Sequence, residues 1–130
     1  MYQSQTVIGI TPARKDPPLQ DCTWPEDALH FVPDWVYTSQ AVYEQEQDRI
    51  FRGKTWNYVA LEAEVPEPGS YKRSYVGAVP VVVSRAEDGG LHVFENRCAH
   101  RGAEFCRHGQ GKAKEFVCPY HQWSYDLKGN

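Results

Sequence analysis

No apolar run in the 130 residues approaches the roughly 20 needed to cross a bilayer. Nor is there a basic excess. Fourteen lysines and arginines stand against 17 aspartates and glutamates, a formal charge of −3, which gives no electrostatic footprint for a nucleic-acid partner. The opening Met1-Tyr2-Gln3-Ser4-Gln5 lacks the charged-then-apolar layout of a signal peptide, so the expectation is a cytoplasmic chain whose thiols stay reduced. Internal repeats and low-complexity tracts are also missing. What is present is the composition of an ordinary globular domain, 41% hydrophobic and 24% charged, at a length typical of one domain. Four cysteines in a reducing compartment call for an explanation other than disulfides, and metal binding comes first.

Five prolines (Pro12, Pro17, Pro18, Pro25 and Pro33) punctuate residues 1–37 and forbid long helices there. With Trp24 and Trp35 this stretch reads as an irregular N-terminal arm that packs through its aromatics. Residues 38–52 read as one amphipathic helix resting on a sheet. Thr38 or Ser39 caps it, Tyr43, Gln47, Ile50 and Phe51 share a face, and Gly53 stops it, so the helical region is set at 38–55. From Trp56 onward the pattern changes to short β segments. These are Trp56 to Leu61, a Val-rich strand from Tyr75 to Ser84 with Pro80 at an edge or bulge, and Leu91 to Phe94 after a Glu87-Asp88-Gly89-Gly90 hairpin turn. Phe116-Val117 and Trp123-Ser124-Tyr125 follow, and Pro66 to Ser70 forms a turn cluster. The fold class is therefore mainly β, an antiparallel domain over 56–130. Lys128-Gly129-Asn130 signals a turn with no strand after it, which reads as a chain cut short.

The strongest chemical signal is Cys98-Ala99-His100 and Cys118-Pro119-Tyr120-His121, with 17 residues between His100 and Cys118. Each short loop offers one thiolate and one imidazole. A tetrahedral zinc ion would accept two sulfurs and two nitrogens, although zinc modules more often pair like ligands with like. The mixed pair repeated twice suits a Rieske [2Fe–2S] centre, in which two cysteines hold one iron and two histidines the other. Charge explains the histidines. Two ferric ions, two sulfides, two thiolates and two neutral imidazoles sum to zero, so such a cluster accepts an electron far more readily than an all-cysteine one.

The run Cys98-Ala99-His100-Arg101-Gly102-Ala103, with Cys118-Pro119-Tyr120-His121-Gln122-Trp123-Ser124-Tyr125, resembles the Rieske domain of aromatic-ring-hydroxylating oxygenase large (α) subunits. The resemblance extends through Phe51, Trp56-Asn57-Tyr58 and Pro66 to Gly69, over about 35–130. It implies an N-terminal arm, one helix and a Rieske β domain. It implies also that Cys98, His100, Cys118 and His121 hold the [2Fe–2S] cluster, with Arg101, Tyr120 and Trp123 close by. The respiratory branch of Rieske proteins adds a disulfide-bonded cysteine to each loop; here Ala103 and Tyr120 occupy those places. Cys106 reads as a small apolar packing residue, and Cys22 carries no assigned role.

In that family a ferredoxin or reductase reduces the Rieske centre, which passes the electron to a mononuclear non-haem Fe(II). The iron sits in a C-terminal catalytic domain, and the α subunits form a trimer that a β subunit often joins. No D-x-x-H-x-x-x-x-H pattern for that iron occurs here, so these residues are expected to move electrons and hold no catalytic iron. The stretch Glu95-Asn96-Arg97-Cys98, with Arg49-Ile50-Phe51 and Trp56-Asn57-Tyr58, looks most like oxygenases for aromatic carboxylates such as salicylate, anthranilate and terephthalate. A free-standing Rieske ferredoxin is the alternative, and a structural zinc module a further one. Residues 97–114 hold five cationic side chains against Glu104 alone. That local excess reads either as a solvated face or as a docking surface for an acidic electron donor.

Overall fold

The computed structural model describes residues 21–26 and 30–130, so most of the expected arm lies outside the described residues. The chain divides into two compact units, Met1–Glu46 and Gln47–Asn130.

In the first unit Trp24 and Trp35 meet edge to face at 6.3 Å. The helix expected over 38–52 is instead broken into pieces. A single turn, α1 (Trp35–Thr38), ends where Ser39 turns extended, and α2 (Gln40–Glu46) starts afresh. Ser39 serves as the cap: its hydroxyl accepts the Val42 N–H at 3.4 Å.

The second unit opens with a π-helical turn, Gln47–Phe51, closed by the Arg52 N–H donating to the Gln47 carbonyl at 2.8 Å. Gln47 is buried because its side-chain oxygen accepts the Ala78 N–H at 2.8 Å. That contact explains a second departure from expectation. The Val-rich segment is not one strand but a hairpin: β1 (Ser70–Val76) and β2 (Val79–Arg85) reverse at Gly77. Gly77 has φ 57°, and a Cβ there would lie 2.4 Å from Gln47 and 2.6 Å from Phe51. Only glycine both turns and fits under the helical turn. Pro80 is the second residue of β2, a central strand rather than an edge, tolerated at the hairpin end where it faces Tyr75.

β3 (Leu91–Glu95) follows the expected Glu87–Gly90 turn, and β4 (Gln110–Lys112) completes an antiparallel sheet of order β3-β2-β1-β4. A two-stranded sheet joins β5 (Phe116–Val117) to β6 (Ser124–Tyr125). Trp56 to Leu61 forms no strand. Its β-favouring side chains find no partner strand, and Trp56, Tyr58 and Leu61 stay exposed. A 3₁₀ turn, Glu62–Glu64, follows and is tied to the sheet by Lys72–Glu64 at 2.7 Å and Arg85–Glu62 at 2.9 Å.

One face of the four-stranded sheet meets the small sheet. Tyr71, Val82, Phe105, Phe116 and Leu127 form the core, and Cys98, Cys106 and Cys118 belong to it too. Phe94, Phe105 and Phe116 pack on one another with centroids 5.8–6.3 Å apart. Cys106 thus packs as the small apolar residue the sequence suggested. Asn96 is fully buried at the end of β3 and clamps residue 106 from both sides. Its amide N–H donates to the Cys106 carbonyl at 2.8 Å, and its oxygen accepts the Cys106 N–H at 2.9 Å. Replacing Asn96 by Ala strands both backbone groups in the core. We expect Asn96→Ala to destabilise the second unit by about 2–4 kcal/mol in urea unfolding, since each unsatisfied buried group costs about 1–3 kcal/mol. A loss below about 1 kcal/mol would show that water replaces the clamp.

Candidate metal centre

Two loops project from the core, one between β3 and β4 and one between β5 and β6, and their backbones are the same device used twice. The Cys98 N–H donates to the Ala103 carbonyl at 2.8 Å, and the Gly102 N–H returns to the Cys98 carbonyl at 2.8 Å. In the second loop the Cys118 N–H donates to Trp123 at 2.8 Å, and the Gln122 N–H returns to Cys118 at 2.9 Å. In each loop the residue four past the cysteine takes the left-handed conformation, Gly102 at φ 75° and Gln122 at φ 62°. Glycine does so freely; Gln122 bears a cost of about 1–2 kcal/mol, offset by the closed loop.

The four donors separate by environment. Cys98 and Cys118 are 3% and 1% exposed and belong to the same buried core cluster. His100 and His121 lie in the exposed part of each loop, their Nδ1 atoms 3.1 Å apart. The structure thus brings together one thiol pair and one imidazole pair, each drawn from both loops. Among the described residues, no three His, Cys, Asp or Glu side chains gather around a single ion position. None of the four cysteines forms a disulfide.

The thiol pair sits among hydrogen-bond donors. The Tyr125 hydroxyl, 3.2 Å from Cys98 Sγ, draws that thiol below the ordinary cysteine range. Burial opposes this, while the main-chain N–H groups of His100 and Arg101 assist it. The same contact pushes the Tyr125 phenol above its usual value. Tyr125 accepts the Ala99 N–H at 2.9 Å in turn, so one side chain on β6 braces the first loop. Burial raises the Cys106 thiol, which lies in the core. Tyr125 stands at the end of the second motif with no local sign of this role. Nothing in the pattern marks a contact made across 27 residues.

The other candidates surround the imidazoles. Trp123 stacks on His100 with centroids 5.1 Å apart and planes at 11°. Tyr120 meets His121 edge-on at 4.6 Å, and the Arg101 guanidinium lies 5.8 Å above the Tyr120 ring. All three stay exposed.

Two soft thiols on the inner side and two imidazoles on the outer side fit a cluster whose irons differ in ligand type. Residues 55–130 match the Rieske [2Fe–2S] domain family. The chain is 52% identical to the large subunit of anthranilate 1,2-dioxygenase from Burkholderia cepacia, covering 97% of this chain and 30% of that one. It is 50% identical to the large oxygenase component of salicylate 5-hydroxylase from Ralstonia sp., covering 85% and 26%. Among solved structures it resembles a quaternary ammonium Rieske monooxygenase studied for carnitine oxidation and inter-subunit electron transfer, with TM-score 0.67 and 40% identity over 75% of this chain and 26% of that one. The chain spans less than a third of the length of these relatives. The loop pair, its donors and these likenesses agree: the chain belongs to the Rieske [2Fe–2S] domain family.

Proposed function

We propose that Cys98 and Cys118 hold one iron of the [2Fe–2S] cluster and His100 and His121 the other. The observation that carries this is the sorting of donors across the loops, with both cysteines in one buried cluster and the two imidazoles against each other at the surface. A single zinc ion would ask all four donors to converge on one point instead. The bound cluster supplies a one-electron store at a potential above that of all-cysteine ferredoxins. The chain's own groups set that potential. Tyr125 and the loop N–H groups donate toward Cys98 and favour added negative charge, while Trp123 and Tyr120 cover part of the imidazole rings.

The chain serves as the electron-entry module of an oxygenase that hydroxylates an aromatic ring with O₂. An aromatic carboxylate is the substrate class, supported by the anthranilate and salicylate relatives. A ferredoxin or reductase is the donor. The acceptor is a mononuclear Fe(II) in a catalytic domain, which these 130 residues do not supply. Assembly is a trimer of α subunits, with or without a β subunit, in the cytoplasm. The inter-subunit electron transfer studied in one solved relative favours such an assembly. No helix among the described residues is long and apolar enough to cross a membrane.

Visible absorption and EPR test the cluster. A brown protein with a rhombic signal on reduction is expected, and a colourless protein with one bound zinc overturns the reading. A cluster with no oxygenase activity in the complete polypeptide, given donor, O₂ and anthranilate or salicylate, would leave the free ferredoxin reading instead. His121→Cys exchanges a neutral ligand for an anionic one, so the potential should fall by on the order of 100 mV in a redox titration. An unchanged potential removes His121 from the ligand set.

Tyr125→Phe removes a donor to Cys98. If that hydrogen bond is stronger by about 1 kcal/mol in the reduced state, the potential drops by roughly 40 mV. A rise or no change would mean that the hydroxyl only braces the loop.

A further inference from the structure

The two loops are closed alike but not finished alike. The carbonyl that accepts the cysteine N–H belongs to Ala103 in the first loop and to Trp123 in the second. Ala103 packs against the core cluster, and its side chain is too short to cross to the other loop. Trp123 does cross. Its indole lies on the His100 ring with centroids 5.1 Å apart and planes at 11°. Among the described residues His121 has no stacked partner of this kind. It meets Tyr120, its neighbour in the chain, at 65°, and His100 at 75°, both edge-on. Nor does the core ask for a large aromatic at position 123. Trp123 is 48% exposed and lies outside the buried cluster, so its indole is held by the imidazole and not by burial.

We propose that Trp123 is the positioning residue for His100: carried on the second loop, its indole fixes the plane of the first loop's imidazole. This rests on the cluster reading and adds the side chain that aims one of the ligands. What the stack controls is direction. The donor lone pair of Nδ1 lies in the plane of the ring, so turning the ring about its bond to Cβ swings that lone pair off its target. A ring stacked nearly parallel on an indole must give up the contact in order to turn. The stack occupies a face of His100 and leaves its edge free, and both Nδ1 atoms already face each other at 3.1 Å. With Tyr125 on Cys98, the second hairpin thus braces both donors of the first loop, the thiol by a hydrogen bond and the imidazole by stacking. The two imidazoles are therefore inequivalent, His100 being held flat from the facing loop and His121 only by ring edges.

Pulsed EPR of the reduced, cluster-loaded protein tests this, with its histidines labelled by the heavy nitrogen isotope. The spin that spreads onto each ligand nitrogen depends on how that ring is turned. Wild type should show two nitrogen couplings, one for each imidazole. Trp123→Leu should shift one of them and leave the other in place. Trp123→Phe keeps a ring to stack and should return the shifted coupling toward its wild-type value. Couplings that both stay put in Trp123→Leu overturn the proposal. So do couplings that shift by equal amounts, which mark a disturbance of the whole loop, and so does a Phe variant that matches the Leu one. Should Trp123→Leu take up no cluster, proton NMR of the metal-free proteins decides. The ring current of the indole should hold the His100 ring protons upfield in the wild type, and Trp123→Leu should return them to the position of an unstacked imidazole. His100 protons with no upfield displacement in the wild type overturn the stack. A wild-type protein that gives no reduced-cluster signal overturns the cluster reading itself, a failure distinct from a signal whose couplings ignore Trp123.

Discussion

A pair of main-chain hydrogen bonds, closed once on Cys98 and once on Cys118, is the constraint on which the site depends. Each clasp starts and ends at a cysteine anchored in the core. The residues inside it therefore have nowhere to go but outward. Ala99-His100-Arg101 and Pro119-Tyr120-His121 are all exposed, whereas both cysteines are buried. That is why histidine can stand two residues after one cysteine and three after the other: either position lies within the exposed arc. The clasp also consumes main-chain donors and acceptors that would otherwise need water at the edge of an apolar core. Its cost is a left-handed residue in each loop, small at Gly102 and larger at Gln122.

Two clasps alone would not fix how the loops face each other, and the core does that. Tyr125 leaves the second hairpin to bond both Cys98 Sγ and the Ala99 N–H of the first loop, and its ring stacks on Phe105 at 4.7 Å. Asn96, just before the first loop, grips residue 106 just after it. A shift of either hairpin thus has to break a polar contact as well as aromatic packing. The groups that orient the thiols are the same ones that hold the hairpins in register, so stability and redox environment share residues.

The two Cys–His pairs stood out in the sequence because chemistry restricts residue type at short range: a thiolate and an imidazole two or three positions apart have few bland explanations. The hairpin turn at Glu87–Gly90 was legible for a similar reason, since it is written in local conformational preference. What escaped depends on distant partners. β4 is Gln-Gly-Lys, poor in β formers, and exists because β1 offers it an edge. Trp56 to Leu61 has the composition of a strand and no neighbour to pair with. Gly77 turns the chain inside a valine-rich run because a helical turn far upstream presents Gln47 to it. The same distance effect hid Tyr125, whose role rests on a cysteine 27 residues earlier.

Charge shows the limit of a sequence count in a more instructive way. Counted along the chain, residues 97–114 carry five cations against Glu104 alone, yet a sequence count cannot see that Glu95 and Glu67 reach in from β3 and the turn before β1. Exposed pairs of this kind contribute little to stability, but they cancel field. Beyond about 10 Å at ordinary ionic strength the surviving charges dominate what an approaching protein meets. Those near the histidine-bearing loops are Arg101 and Arg107. The thiol pair faces a dry aromatic core and the imidazole pair faces this residual positive surface. The module is therefore electrically asymmetric: its inner side is apolar, and its outer side carries both the exposed imidazoles and the guanidiniums that no carboxylate among the described residues pairs. The asymmetry follows from where each clasp begins, since a loop anchored at its cysteine must turn its histidine to solvent.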